Sequence, residues 1–148
     1  MASNRIQRLL LSLVVSIFTV SCFAQIQDDA EEAFRISSET HKPVLLIFAG
    51  SDWCAACMRF ERNILSEISF QDFADKNLVL LKAEFPQRKK LPTSIREQND
   101  ALAEQYNPKG IFPYLLLLRS EKTVVSLISY NNQSPVEFIS ELKSLLSK

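Results

Sequence analysis

Glycine is nearly missing from this chain, with two residues among 148, and histidine is reduced to one. Two glycines, six prolines and no repeat at a fixed period exclude a linker-rich or low-complexity protein. Neither charge sign dominates, at 17 basic and 17 acidic residues, and no basic block is interleaved with aromatics. That balance argues against nucleic acid as a partner. The chain also lacks an uninterrupted apolar stretch of the roughly 20 residues that a membrane-spanning helix needs. Leu9 to Val20 comes nearest, and Ser12, Ser16 and Thr19 break it.

What remains is enough for one ordinary core: 47% of residues are hydrophobic, in a length that suits a single domain. The N-terminus follows separate rules. Arg5 and Arg8 precede the apolar stretch with no acidic residue nearby, the pattern of a signal peptide over residues 1–24. Ala24 suits the position before a signal-peptidase cut, which leaves residues 25–148 as the mature domain, periplasmic or secreted. Thr19-Val20-Ser21-Cys22 loosely resembles a lipoprotein processing site, so anchoring through Cys22 is the alternative. Loss of the leader removes two arginines and no acid, leaving 15 basic and 17 acidic residues. So mild a net charge predicts solubility without strong electrostatic steering.

Of three cysteines, Cys22 lies in the leader, and Cys54 and Cys57 remain. A bridge that closes so short a loop constrains the unfolded chain little, so the pair is better explained by reactivity than by stability. Half a zinc site looks the same, but zinc asks for about four ligands and the mature chain offers one histidine, His41, and no second cysteine pair. No metal is expected, and His41 reads as a solvated turn residue.

The remaining pattern places the pair. A helix is expected over Asp29 to Thr40, then a buried strand at Val44-Leu45-Leu46-Ile47-Phe48. Apolar residues at Cys57, Phe60, Ile64, Leu65 and Ile68 mark a helix that starts near Cys54 and keeps helical character to about Asn77. Leu78 to Phe85 reads as a strand. Pro92 to Asn107 reads as a helix capped by Thr93 or Ser94. Tyr114 to Arg119 and Thr123 to Ser129 read as a hairpin, and Ser134-Pro135 as the start of a last helix. A four-stranded mixed sheet with helices on both faces accommodates this order, an α/β fold. Its first cysteine sits at a helix N-terminus, where unpaired N–H groups favour a thiolate. Cys54 is therefore the expected nucleophile, and Cys57, one turn inside, the resolving thiol. Ala55 and Ala56 between them offer neither charge nor hydrogen bond.

Phe48-Ala49-Gly50-Ser51-Asp52-Trp53-Cys54-Ala55-Ala56-Cys57 resembles the active-site segment of the thioredoxin superfamily, especially exported members with a Ser-Asp-Trp-Cys-x-x-Cys pattern. The resemblance covers about residues 28–147 and implies a thioredoxin fold. It implies that Trp53 packs beside the disulfide and that Phe112-Pro113, 56 residues beyond Cys57, is the family's cis-proline site. There the Phe112 backbone would pair with a substrate peptide. It further implies a disulfide reductase or isomerase acting on envelope proteins, with protein thiols or disulfides as substrates, a membrane thiol donor as partner and no cofactor. A binding or chaperone module with a redox-silent pair is the alternative. Two departures stand out. The aspartate that family members often bury beneath the second cysteine is replaced by Ile47 or Phe48, with Lys82 and Glu84 the nearest substitutes unless they form an exposed edge pair. Tyr114 stands where a small residue usually follows the proline. Without a readable heptad or long apolar patch, the protein is expected to be a monomer.

Overall fold

Six consecutive buried residues, Val44–Ala49, form the middle strand β2 of a mixed sheet. A computed structural model describes residues 25–147, so the expected signal peptide, its expected cleavage position and Cys22 lie outside the described residues. Strand β1, Ile26–Gln27, runs parallel to β3, Val79–Glu84, which itself runs parallel to β2. On the other side, β4, Tyr114–Leu118, is antiparallel to β2, and β5, Val124–Ile128, is antiparallel to β4. The order is β1-β3-β2-β4-β5, five strands where the sequence predicted four. Two residues are too few to display a period, so β1 leaves no trace in the pattern.

Side chains alternate across the sheet, and both faces are covered, which is why the strands are apolar throughout. Leu45, Ile47, Leu115 and Leu117 join one core cluster, and Val44, Leu46, Phe48, Leu116 and Leu118 join the other. The second face is covered by α1, Ala30–Thr40, through Ala33 and Phe34, and by α4, Thr93–Tyr106, through Leu102 and Ala103. Asp29 caps α1 by accepting the Glu32 N–H at 3.0 Å, and exposed His41 closes it in a left-handed conformation. The first face carries α2, Ala55–Phe60, then α3, Ile68–Asn77, and α5, Pro135–Leu146. Phe138 of α5 packs edge-on to Phe60 at 5.5 Å and against Phe70 at 5.8 Å, tying the three helices together.

Two local details depart from expectation. The helix that begins at the cysteines does not run unbroken to Asn77. It widens into a π-helical turn at Glu61–Leu65, stops at Ser66, and restarts after the extended residue Glu67. Ser66 donates both its N–H and its hydroxyl to the Glu61 carbonyl, at 2.9 Å each, which closes the wide turn. The widening lets the consecutive residues Ile64 and Leu65 both face the core. At α4, Pro92 holds the cap position and no side chain caps the helix, so neither Thr93 nor Ser94 has the predicted role. Ser134 and Pro135 do start α5, with a capping box completed by Glu137.

Candidate active site

Between the end of β2 and the start of α2 the chain makes a tight loop, Gly50-Ser51-Asp52-Trp53. The Gly50 carbonyl accepts N–H bonds from Trp53 at 3.2 Å and Cys54 at 2.8 Å. Cys54 is thereby the N-cap of α2, with extended backbone, and its Sγ accepts the Cys57 N–H at 3.1 Å. The two cysteines are joined in a disulfide with Cα atoms 5.2 Å apart. Both are buried, at 7% exposure for Cys54 and 3% for Cys57, within the core cluster that holds Ala49, Phe60 and Leu115.

Three consecutive loop residues are each pinned to the end of β3 or the segment after it. Ser51 donates its N–H and its hydroxyl to the two oxygens of Glu84, the hydroxyl at 2.7 Å. Asp52 accepts the N–H groups of Gln87 at 2.9 Å and Arg88 at 2.7 Å. Those bonds, led by that from Gln87, hold its carboxyl below the usual aspartate range. Trp53 donates its indole N–H to the Phe85 carbonyl at 2.7 Å. Its ring meets Phe112 edge-on at 5.4 Å, and Phe112 leans on Phe85 at 5.5 Å. Phe85 in turn stacks on Phe48, which also touches Tyr114. Gly50 is required beneath Trp53, because a Cβ there would lie 2.3 Å from the indole.

The structure therefore brings Trp53, Phe112 and the cysteine pair to one end of the sheet. The Phe112-Pro113 bond is cis, and Pro113 leads directly into β4 beside Phe48 of β2. His41 lies elsewhere, at the end of α1. Ile47 and Phe48 are fully buried and carry no acid beneath the pair. Lys82 and Glu84 lie beyond the two residues of β3 that pair with β1, so they sit at the sheet edge but are half-buried rather than exposed, and their side chains follow Leu80 onto the face that holds the cysteines. Lys82 is 18% exposed and bridges Glu61 at 2.8 Å and Glu84 at 3.2 Å. Burial presses its ammonium toward neutrality, but the two carboxylates outweigh that and raise its pKa above the ordinary value. Glu61, in the π-helical turn, escaped the sequence reading, as did the anchoring roles of Ser51, Asp52 and Gly50. Among the described residues no three potential metal ligands converge.

Residues 25–119 match the thioredoxin-like family. The chain is similar to the disulfide bond reductase DsbH of Chlamydia pneumoniae, with 33% identity over 115 residues, covering 78% of this chain and 69% of that protein. It is similar also to the thioredoxin-related protein DsbJ of the same organism, 28% identical over 106 residues, covering 72% of this chain but 30% of DsbJ. Among solved structures, a DsbH oxidoreductase superposes with a TM-score of 0.79 at 30% identity, over 85% of this chain and 86% of the other. The oxidised C-terminal domain of DsbD from Neisseria meningitidis shares the fold at a TM-score of 0.54 and 19% identity, over 77% of this chain and 90% of that domain. With the family match over residues 25–119 and a disulfide seated where β2 passes into α2, the chain belongs to the thioredoxin-like family.

Proposed function

We propose that the protein is an exported thiol-disulfide oxidoreductase that reduces or isomerises disulfides of envelope proteins through Cys54 and Cys57. The observation that carries this reading is the Cys54–Cys57 disulfide at the start of α2, with the first sulfur already accepting a helix N–H. When the pair is reduced, that N–H and its neighbours stabilise a Cys54 thiolate. The thiolate attacks one sulfur of a substrate disulfide, the substrate S–S bond breaks, and its electron pair leaves with the other substrate sulfur. Cys57, deprotonated, then attacks the Cys54 sulfur of the mixed disulfide. The second substrate sulfur departs as a thiolate, and the chain ends in the disulfide state. Trp53, Phe112 and Pro113 are the surface on which the substrate peptide rests.

Similarity to a protein named a disulfide bond reductase supports the reductive direction. Each cycle then needs two electrons from a thiol donor, which we place at the membrane. Export rests on the leader-like residues 1–24, with cleavage after Ala24 or lipidation of Cys22. The site uses its own two sulfurs and needs no cofactor, and the protein works as a monomer.

Insulin reduction in the presence of dithiothreitol tests the reading. The wild-type protein should accelerate precipitation of the insulin B chain, Cys54→Ser should abolish the acceleration, and Cys57→Ala should accumulate a mixed disulfide. A wild-type protein that accelerates precipitation no more than Cys54→Ser would leave a binding module with a silent pair.

A further inference from the structure

From Phe85 to Arg96 the chain carries four basic residues, Arg88, Lys89, Lys90 and Arg96, and no acidic one. In a protein with equal numbers of both charges this is a strong local excess, hidden in the net value. All four side chains are exposed, and none forms an ion pair among the described residues. Two of the nearby acids are committed elsewhere, while Glu97 and Asp100, on α4 with Arg96, are exposed. Asp52 spends its carboxylate on the Gln87 and Arg88 backbone, and Glu84 is held by Ser51 and Lys82. Lys89, Lys90 and Arg96 line a cleft of about 510 Å³ together with Thr93, and beside Glu84 only Asp100 brings a negative charge to it.

The segment is not free to lie anywhere. The Trp53–Phe85 bond and the two Asp52 bonds fasten it to the loop that presents Cys54. Exposed Trp53 gives that loop an apolar surface, and Asp52, its neighbour in sequence, holds the Arg88 backbone N–H at 2.7 Å. A peptide that brings its disulfide to Cys54 thus meets a loop to which the segment bearing these cations is fastened.

We infer that Arg88, Lys89, Lys90 and Arg96 form a docking surface for an acidic segment of the protein whose disulfide or thiol exchanges with Cys54. The inference rests on the disulfide-exchange reading above. Unpaired cations at a reaction site raise the encounter rate with anionic partners and do so less as salt screens them.

The test measures kcat/KM at low ionic strength for three disulfide-bonded peptides with the same core and flanks of Glu-Glu, Ser-Ser or Lys-Lys. The wild-type protein should prefer the acidic peptide to the basic one by about tenfold or more. The preference should collapse in about 1 M salt, where the screening length is about 3 Å. It should also collapse in the triple variant Arg88→Gln, Lys89→Gln, Lys90→Gln. Equal rates for all three peptides would overturn the docking surface and leave disulfide exchange standing. Failure to reduce any of them would overturn both. A triple variant that keeps the preference but no longer sediments with phosphatidylglycerol vesicles would assign the cations to a membrane surface and overturn the proposal.

Discussion

The indole N–H of Trp53 donates to the carbonyl oxygen of Phe85, 32 residues away, at 2.7 Å. This bond joins the loop that ends at Cys54 to the segment that follows β3. Ser51 on Glu84 and Asp52 on Gln87 and Arg88 repeat the connection at the two preceding residues. The Ser-Asp-Trp string before the cysteines is thus a row of three anchors, each holding the loop that leads into Cys54.

Gly50→Ala tests the first consequence. Its Cβ would fall 2.3 Å from the Trp53 ring, which Phe112 and the Phe85 carbonyl hold in place. Overpacking of this kind costs about 1–3 kcal/mol. Urea denaturation should report that loss, and the Trp53 emission of the folded variant should differ from wild type. An unchanged spectrum and midpoint would mean that the ring does not lie over Gly50.

Asp52 makes stability depend on acid. Its carboxyl is held below its ordinary value of 3.8, chiefly by the Gln87 N–H. A lowered native pKa contributes stability that is present above the unfolded value and lost as pH falls through the folded one. Asp52→Asn should therefore be less stable than wild type above about pH 4, and the gap should narrow below it. Thermal melts across pH 2 to 6 should reveal the convergence. A gap that stays constant with pH would contradict the account.

Lys82 acts at the opposite end of the pH scale. Its raised pKa means that the stabilisation is complete below the ordinary lysine value of 10.5 and disappears as pH rises through the folded value. Lys82→Met leaves Glu61 and Glu84 facing each other without their shared cation. The expected cost, discounted for partial exposure, is about 1–3 kcal/mol at neutral pH. The deficit should shrink in strong alkali, as followed by guanidinium melts. A variant as stable as wild type at pH 7 would remove Lys82 from the network.

Tyr130 offers a contrasting case. Its hydroxyl is buried with no hydrogen-bond partner among the described residues, and its ring packs edge-on to Phe60 at 5.0 Å. Tyr130→Phe keeps the packing and deletes the orphaned group, so stability should hold or rise by about 1 kcal/mol. A loss of more than about 1 kcal/mol in the same denaturation assay would show that the hydroxyl has a partner.

Much of this was legible before the fold was known, for definable reasons. Continuous apolar runs such as Val44 to Phe48 announce a strand covered on both faces. Ser134, Pro135 and Glu137 spell out a helix start within four residues, and the cysteine pair declares itself by spacing. What escaped was long-range or too short to show a period. Ser51 with Glu84 and Asp52 with Gln87 meet across 33 and 35 residues, and nothing local in Ser51 or Asp52 names its partner. Strand β1 has two residues, and the π-helical turn at Glu61–Leu65 adds one residue to a helix whose apolar spacing still reads as regular. Balanced net charge is no guide either. It says nothing of where charges collect, and only the fold shows that Asp52, two residues before Cys54, holds the backbone of the segment that carries Arg88, Lys89 and Lys90.

The most direct test of the whole account is a redox titration in glutathione buffers, read through the emission of Trp53, the sole tryptophan. The account predicts one reversible two-electron transition of the Cys54–Cys57 pair, absent in Cys54→Ser, at a potential more negative than about −150 mV. A pair that does not titrate, or a potential above about −150 mV, would contradict it.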